Sequence, residues 1–142
     1  MKSRQIVLGL GWPLCLLLLV AQAISAVNYD LGVAMGFQQP VESITEVGVA
    51  SWRGFAIADT LVYLPLMALG LYGYQQKRRY GNIFLAVAAG ISLYWPIVFG
   101  ATLLLSRSAF GWSVDSELAV WVFGSIYTVW AIIVLFTLLN ED

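Results

Sequence analysis

The sequence contains no histidine and a single cysteine, and each shortage excludes particular chemistry. Without histidine, the chain lacks the side chain that titrates near neutral pH and most often binds metal ions. It also lacks the imidazole that holds the iron in many haem proteins. Cys15 has no second cysteine, which excludes an intrachain disulfide, a CxxC redox pair and a Cys-rich zinc site. We therefore expect no metal and no cofactor.

Charged residues are scarce as well. They make up 11% of the 142 residues and leave a net charge of −1, whereas about a quarter of an ordinary soluble domain is charged. Nothing resembles a basic patch, so we expect no nucleic-acid partner. Instead, 61% of the chain is hydrophobic and the mean hydropathy is +0.84. A fold this small cannot hide so much apolar surface from water, which excludes a soluble globular domain, a disordered chain and a disulfide scaffold and indicates a membrane protein.

Four apolar stretches are long enough to cross a bilayer, whose hydrocarbon core of about 30 Å takes a helix of about 20 residues. They cover residues 6–27, 52–74, 80–105 and 118–139. None alternates with the period of two that barrel strands show, and a helix satisfies its own backbone polar groups inside hydrocarbon. We predict an all-α fold, a polytopic four-helix transmembrane bundle that forms a single domain over residues 1–142.

The placement of lysine and arginine predicts the orientation of the bundle. Lys2 and Arg4 precede the first span, and the basic residues 77–79 fill the turn between the second and third spans, whereas the opposite side carries only Arg53 and Arg107. Both termini are therefore expected in the cytoplasm, and the cell membrane is the favoured location of this multi-pass protein.

Two features of the predicted outer side leave alternatives open. In the acidic outer loop, residues 28–51, the pattern Ser43-Ile-Thr-Glu46 is typical of a capping box and predicts a short helix at the membrane interface. The first span also resembles a cleavable signal peptide, because it has a basic start, an apolar core and the sequence Ala21-Gln22-Ala23. Pro13 and the length of the apolar stretch favour a retained span.

Asp59 is the most informative residue because it lies inside the second predicted span. With Trp52 taken as the interfacial anchor, the carboxyl group is expected about 10 Å below the outer surface. An ionised carboxylate near the middle of a bilayer costs about 2.5–3.5 kcal/mol on insertion scales. Asp59 must therefore face the bundle interior, be protonated or have a partner. Phe55 and Tyr63, four residues away on either side, share its helix face.

Prolines and aromatic residues fall at a similar depth. Pro65 and Pro96 each lack the N–H that would bond the carbonyl one turn earlier, and helix kinks at these points could open a cavity. Tyr94 and Trp95 lie beside Pro96. Because Trp and Tyr usually prefer the membrane interface, their central position indicates an interior lined by aromatic rings.

Three groups of residues together resemble a known family. Tyr29-Asp30-Leu31 closes the first span, and Trp95-Pro96-Ile97 lies in the third. The second span carries Trp52-Arg53-Gly-Phe55-x3-Asp59-x4-Leu64-Pro65. This order, within residues 25–139, resembles the EXPERA-domain membrane proteins, the group of emopamil-binding protein and the sigma-two receptor. The resemblance implies a bundle of four or five helices with a lipophilic pocket open toward the bilayer.

The resemblance also implies roles for two acids. Asp30 matches the family's acid after the first span, and Asp59 matches the pocket-facing acid of the second span. In the isomerase branch such acids move a proton on a sterol double bond, and in the receptor-like branch they bind an ammonium group. The chain departs from the isomerase pattern in two respects, because Asp59 stands where Glu is usual and the histidine of that span is missing.

Three hypotheses for function follow. The first is a protein that binds a sterol-like, isoprenoid or cationic amphiphilic molecule through Asp59, Asp30, Phe55, Tyr63, Tyr94 and Trp95. The second is a structural subunit of a membrane complex or homo-oligomer, in which Asp59 bonds a neighbouring helix. The third is a lipid double-bond isomerase, in which Asp59 and Asp30 share the acid and base roles. The expected partners are accordingly membrane lipids, lipophilic small molecules or other membrane subunits.

Overall fold

The computed structural model describes residues 2–114 and 117–140; the remaining residues of the predicted domain, 1, 115, 116, 141 and 142, lie outside the described part. The described residues form helices and no β-strand. The elements are α1 (Lys2–Val27), α2 (Tyr29–Ala34), α3 (Val41–Ala58), a π-helical segment (Asp59–Tyr63), α4 (Leu64–Gln75), α5 (Arg79–Ser106) and α6 (Glu117–Leu139). The predicted all-α class is confirmed.

Within the described residues, four helical stretches are long and apolar enough to cross a membrane. They are Ser3–Val27, Val41–Gln75, Arg79–Ser106 and Glu117–Leu139. The second stretch comprises α3, the π-helical segment and α4, with a kink at Thr45. The four stretches form a ring in which each packs against the next, and α6 closes the ring against α1. The prediction of a four-helix bundle is therefore confirmed.

The second stretch differs from the prediction at its start. It begins at Val41 rather than at residue 52, after Pro40 in the N-cap position, so the predicted outer loop contains α2 and the first part of α3. The part that follows the kink at Thr45, residues 46–75, rises about 45 Å at 1.5 Å per residue, which is more than the roughly 30 Å of hydrocarbon. Thr45, with φ 65° and ψ 169°, breaks the helix after its first turn.

Two expectations for this region are wrong. Ser43 does not open the helix as the capping-box pattern indicated, because the helix has already begun at Val41. Trp52 does not anchor the span at a lipid interface either. Its side chain is 7% exposed and packs among the aromatic rings of Phe99 and Trp112. A depth for Asp59 counted from Trp52 therefore has no basis.

Around the turn of residues 76–78, which we call the turn end of the bundle, the helices approach closely. A Cβ atom added at Gly81 on α5 would overlap the backbone of Gly73 and Tyr74 on α4. Glycine at this crossing lets the two backbones touch. The last helix is tied to the first, because the indole Nε1 of Trp130 donates to the Val7 carbonyl oxygen at 3.1 Å.

The opposite half, which we call the loop end, is built differently. Here α3 meets α5 through large rings rather than through backbone. The Trp52 and Phe99 ring centroids lie 4.7 Å apart, and those of Phe55 and Phe99 lie 6.3 Å apart. Helices separated by aromatic rings stand farther apart than helices in contact through glycine. The second and third spans therefore move apart from the turn end to the loop end, and the π-helical segment lies at the transition.

Candidate functional site

A cavity of about 160 Å³ occupies the widened half of the bundle. Its walls come from α1, α3, the π-helical segment, α5 and α6, and the segment between α2 and α3 covers one end. The lining residues are Leu17, Leu18, Ala21, Gln22, Gly36, Phe37, Gln38, Gln39, Trp52, Phe55, Asp59, Tyr63, Ser92, Trp95, Phe99, Ala119, Val120, Phe123 and Tyr127. The wall is thus mostly apolar, with a few polar groups, as is typical of small-molecule sites.

Asp59 contributes the one acidic side chain of this lining. It is 6% exposed, and its Oδ2 atom is buried without a hydrogen-bond partner among the described residues. Buried polar atoms in folded proteins are nearly always bonded, so an exception calls for an explanation such as a water or a ligand. Asp59 is therefore the first candidate for contact with a ligand in this cavity.

The local backbone around Asp59 has a cause in the sequence. Pro65 brings no N–H to the ladder, and the N–H of Leu64 bonds the Asp59 carbonyl oxygen, five residues back. The Thr60 hydroxyl donates to the Ala56 carbonyl oxygen at 2.7 Å, which satisfies another backbone acceptor nearby. The wider turn that results is a π-helical segment. Such segments occur frequently at functional sites.

A pair of hydroxyl groups lies at the end of the cavity nearest the tightly packed core. The Tyr63 hydroxyl and the Ser92 Oγ atom are 2.5 Å apart and join the second span to the third. Ser92 also donates to the Ala88 carbonyl oxygen at 2.9 Å. Both hydroxyl groups are therefore engaged within the protein, whereas Asp59 Oδ2 has no partner among the described residues.

Aromatic rings form the wall contributed by α5. Trp95 and Phe99, one helical turn apart, stack with centroids at 4.8 Å and an interplanar angle of 14°. The Nε1 atom of Trp95 is buried and, like Asp59 Oδ2, has no hydrogen-bond partner in the described part of the chain. The cavity wall therefore contains one unpaired donor and one unpaired acceptor.

The segment of residues 36–39 covers the loop end of the cavity. Gly36 adopts φ +78°, which allows the chain to turn sharply after α2. The Tyr29 hydroxyl donates to the Gln39 carbonyl oxygen at 3.0 Å and holds the segment in place. Burial raises the pKa of Tyr29 to about 12, so this phenol remains a donor at neutral pH. Within this segment, the side chain of Gln38 is buried.

The cavity also reaches the outer surface of the bundle. Phe55 on α3 and Phe123 on α6 both line it, yet they are 37% and 44% exposed. In a membrane these surfaces would face lipid rather than water. The cavity is therefore bordered by side chains that lie at the surface of the bundle.

Four of the predicted site residues come together around this cavity. Phe55, Asp59 and Tyr63 line it from the second span, and Trp95 lines it from the third. The shared helix face inferred from the spacing of four residues is thus present, because a single widened turn does not rotate these three side chains apart.

The other two predicted residues lie elsewhere. Asp30 is exposed in the first turn of α2 and is outside the set of residues that line the cavity. Tyr94 is 65% exposed on the outer face of α5. Neighbouring residues on a helix point about 100° apart, and α5 is rotated so that Trp95 lines the cavity while Tyr94 points away from it. Asp59 and Asp30 consequently do not form a pair of carboxylates around one space.

Several residues that line the cavity were not predicted from the sequence as site residues. Phe99 follows Trp95 by four residues, and Ser92 precedes Pro96 by four, so helical spacing could have identified both. No comparable pattern marks Gln38, because residues 36–39 form a connection whose path depends on how α2 and α3 pack.

Fold and composition together define this chain as a multi-pass integral membrane protein. Comparisons of the chain with models of known protein families, with curated proteins and with solved structures found no match. The resemblance to the EXPERA-domain proteins stays a prediction.

Proposed function

We propose that this protein binds a lipophilic small molecule in the cavity between its helices and that Asp59 recognises the polar end of that molecule. The observation that carries the proposal is the Asp59 Oδ2 atom, buried and unpartnered at the wall of an apolar cavity. A carboxyl group in this position is costly to the fold. Binding a ligand would offset that cost.

The size and opening of the cavity define which molecules fit. About 160 Å³ compares with the roughly 150 Å³ engineered cavity that binds benzene. The space therefore takes the polar end and the first carbons or ring of a lipid. The remainder of the molecule would extend out of the cavity into the bilayer. A sterol-like, isoprenoid or cationic amphiphilic molecule has this form.

Occupancy of the cavity can be tested by blocking it. The probes are dodecan-1-ol and dodecylamine, each with a diazirine in the alkyl chain, and cross-linked peptides are identified by mass spectrometry. Ala21 lines the cavity, so Ala21→Trp fills it and should abolish cross-linking to the peptide of residues 52–63. Ala101→Trp adds the same bulk at an exposed position of α5 and should leave cross-linking unchanged. Equal labelling of the two variants would reject the proposal.

Recognition by the carboxyl group needs a second test. Asp59→Asn removes the charge at nearly constant volume and should weaken binding of the dodecylamine probe more than tenfold. Asp30→Asn is the matched control, because Asp30 is exposed and lies outside the cavity. Unchanged affinity in reconstituted Asp59→Asn protein would show that Asp59 does not contact the ligand.

A further inference from the structure

We infer that the polar end of the ligand is a neutral hydroxyl group, as in a long-chain or ring alcohol of the membrane. This inference deepens the proposed function and rests on it. It comes from two atoms considered together: Asp59 Oδ2 and Trp95 Nε1 are both buried, both unpartnered among the described residues, and both belong to residues that line the same cavity.

The two atoms make opposite demands on a ligand. An indole N–H can only donate, so Trp95 requires an acceptor. An ionised carboxylate can only accept, so Asp59 requires a donor. A hydroxyl group offers one O–H donor and two acceptor lone pairs on a single atom. Among the polar groups of membrane lipids, a hydroxyl group can therefore bond both Asp59 and Trp95 through one atom.

Other polar groups answer only one of them. A protonated amine has three donors and no acceptor, so it would pair with Asp59 and leave the Trp95 N–H unsatisfied in an apolar wall. A ketone or an ether has an acceptor and no donor, so it would pair with Trp95 and leave an ionised Asp59 unsatisfied. A carboxylate would bring a second negative charge toward Asp59.

Proteins that leave a buried donor unpaired pay the full desolvation cost of that group. Because the alcohol gains a hydrogen bond from the Trp95 N–H and the amine does not, we expect the cavity to select an alcohol over an amine of the same chain length by about tenfold. The apolar chain is common to both probes, so the difference isolates the polar end.

The experiment compares dodecan-1-ol, its methyl ether and dodecylamine as competitors of the diazirine-labelled dodecan-1-ol, with the full chain in lipid nanodiscs at pH 7. On the unaltered protein, the alcohol should compete about tenfold better than either the ether or the amine. This comparison needs no variant. Competition by the amine that equals or exceeds that by the alcohol would overturn the hydroxyl assignment.

Trp95→Phe tests the donor directly, because it keeps a ring for stacking on Phe99 and removes the N–H. It should weaken binding of the alcohol about tenfold and leave that of the amine unchanged. Trp121→Phe is the control on α6, where the ring is 40% exposed and lies outside the cavity lining. If Trp95→Phe weakens both competitors equally, the indole contributes packing alone and the assignment fails.

The proposal of a binding cavity and the assignment of a hydroxyl ligand predict different experimental outcomes. If Ala21→Trp and Ala101→Trp label equally, the cavity is not a binding site and both inferences fall. If the cavity binds probes but prefers the amine, only the hydroxyl assignment falls, and the proposed function stands with a cationic ligand instead.

Discussion

The Tyr127 hydroxyl group donates to the carbonyl oxygen of Leu14 at 2.8 Å, and this bond joins the fourth span to the first beside the cavity. It lies one turn along α6 from the Trp130 bond to Val7. Together the two bonds hold α1 against α6 over the tightly packed half of the bundle. Beyond Tyr127, toward the loop end, side chains of both helices line the open space instead.

Removing this bond should have a small effect on stability. Tyr127→Phe deletes one interhelical hydrogen bond, and such bonds average about 0.6 kcal/mol in measured membrane proteins. We expect the free energy of unfolding in mixed micelles to fall by about 0.5–1 kcal/mol. Tyr94→Phe, at a position that is 65% exposed, should cause no change. A loss of several kcal/mol in Tyr127→Phe would mean that the whole interface rearranges.

The glycine crossing between α4 and α5 should be far more sensitive. In Gly81→Ala the new methyl group meets the backbone of Gly73 and Tyr74, and overpacking of this kind costs about 1–3 kcal/mol. Gly90→Ala on the same helix is the matched control, because no described atom lies within 4 Å of its added Cβ. The control should be neutral or slightly stabilising, since alanine favours helix. Equal thermal stability of the two variants would contradict the close crossing.

Asp59 should be a position where stability and function oppose each other. Asp59→Leu replaces a buried carboxyl group that lacks a partner for Oδ2 with an apolar side chain of similar size. In the absence of ligand we expect a gain of about 1–3 kcal/mol in the free energy of unfolding, together with loss of probe binding. Asp30→Leu, on an exposed turn, should not stabilise the protein. Destabilisation by Asp59→Leu would instead indicate that the carboxyl group has a structural partner.

Arg4 should protect the end of α4. Its guanidinium group donates to the carbonyl oxygens of Tyr74 at 3.0 Å and Gln75 at 2.9 Å, which belong to the last turn, where carbonyl groups lack α-helical partners. In Arg4→Leu we expect amide hydrogens of residues 76–78 to exchange about fivefold faster, which corresponds to about 1 kcal/mol of local stability. Arg79→Leu removes a charge from the same end of the bundle and should leave that exchange unchanged.

The orientation of the bundle remains a prediction from charge placement, and thiol labelling checks it. In a Cys15→Ala background, Lys77→Cys should react with a membrane-impermeant maleimide only after the cells are opened, because the basic turn is expected in the cytoplasm. Ser108→Cys, in the connection between α5 and α6, should react in intact cells. The reverse pattern would place the cavity opening nearer the cytoplasmic side.

Sequence patterns predicted the ends of the third span better than the start of the second span. The third span was predicted over residues 80–105 and occupies Arg79–Ser106, since the change from apolar to polar residues is abrupt at both ends. The second span was predicted to start at residue 52 and starts at Val41. Glu42 and Glu46 lower the local hydropathy there, although both remain compatible with a helix that extends beyond the hydrocarbon.

The candidate site was predictable along each helix and unpredictable between helices. The spacing of four residues placed Phe55, Asp59 and Tyr63 on one face. It could not show that Trp95 rather than Tyr94 would turn toward that face, because this depends on how α5 rotates against its neighbours. The position of Asp30 outside the cavity likewise follows from the packing of α2, which local spacing does not encode.

The amino-acid sequence alone determined that this chain lives in a bilayer as a bundle of four helices with an acid inside one of them, because hydropathy and backbone satisfaction act within each segment. Tertiary structure alone decided that glycines bring the second and third spans together at the turn end, while aromatic rings hold them apart at the loop end. An open space lined by Asp59 and Trp95 results from that difference, since only packing between segments determines where side chains from separate helices meet.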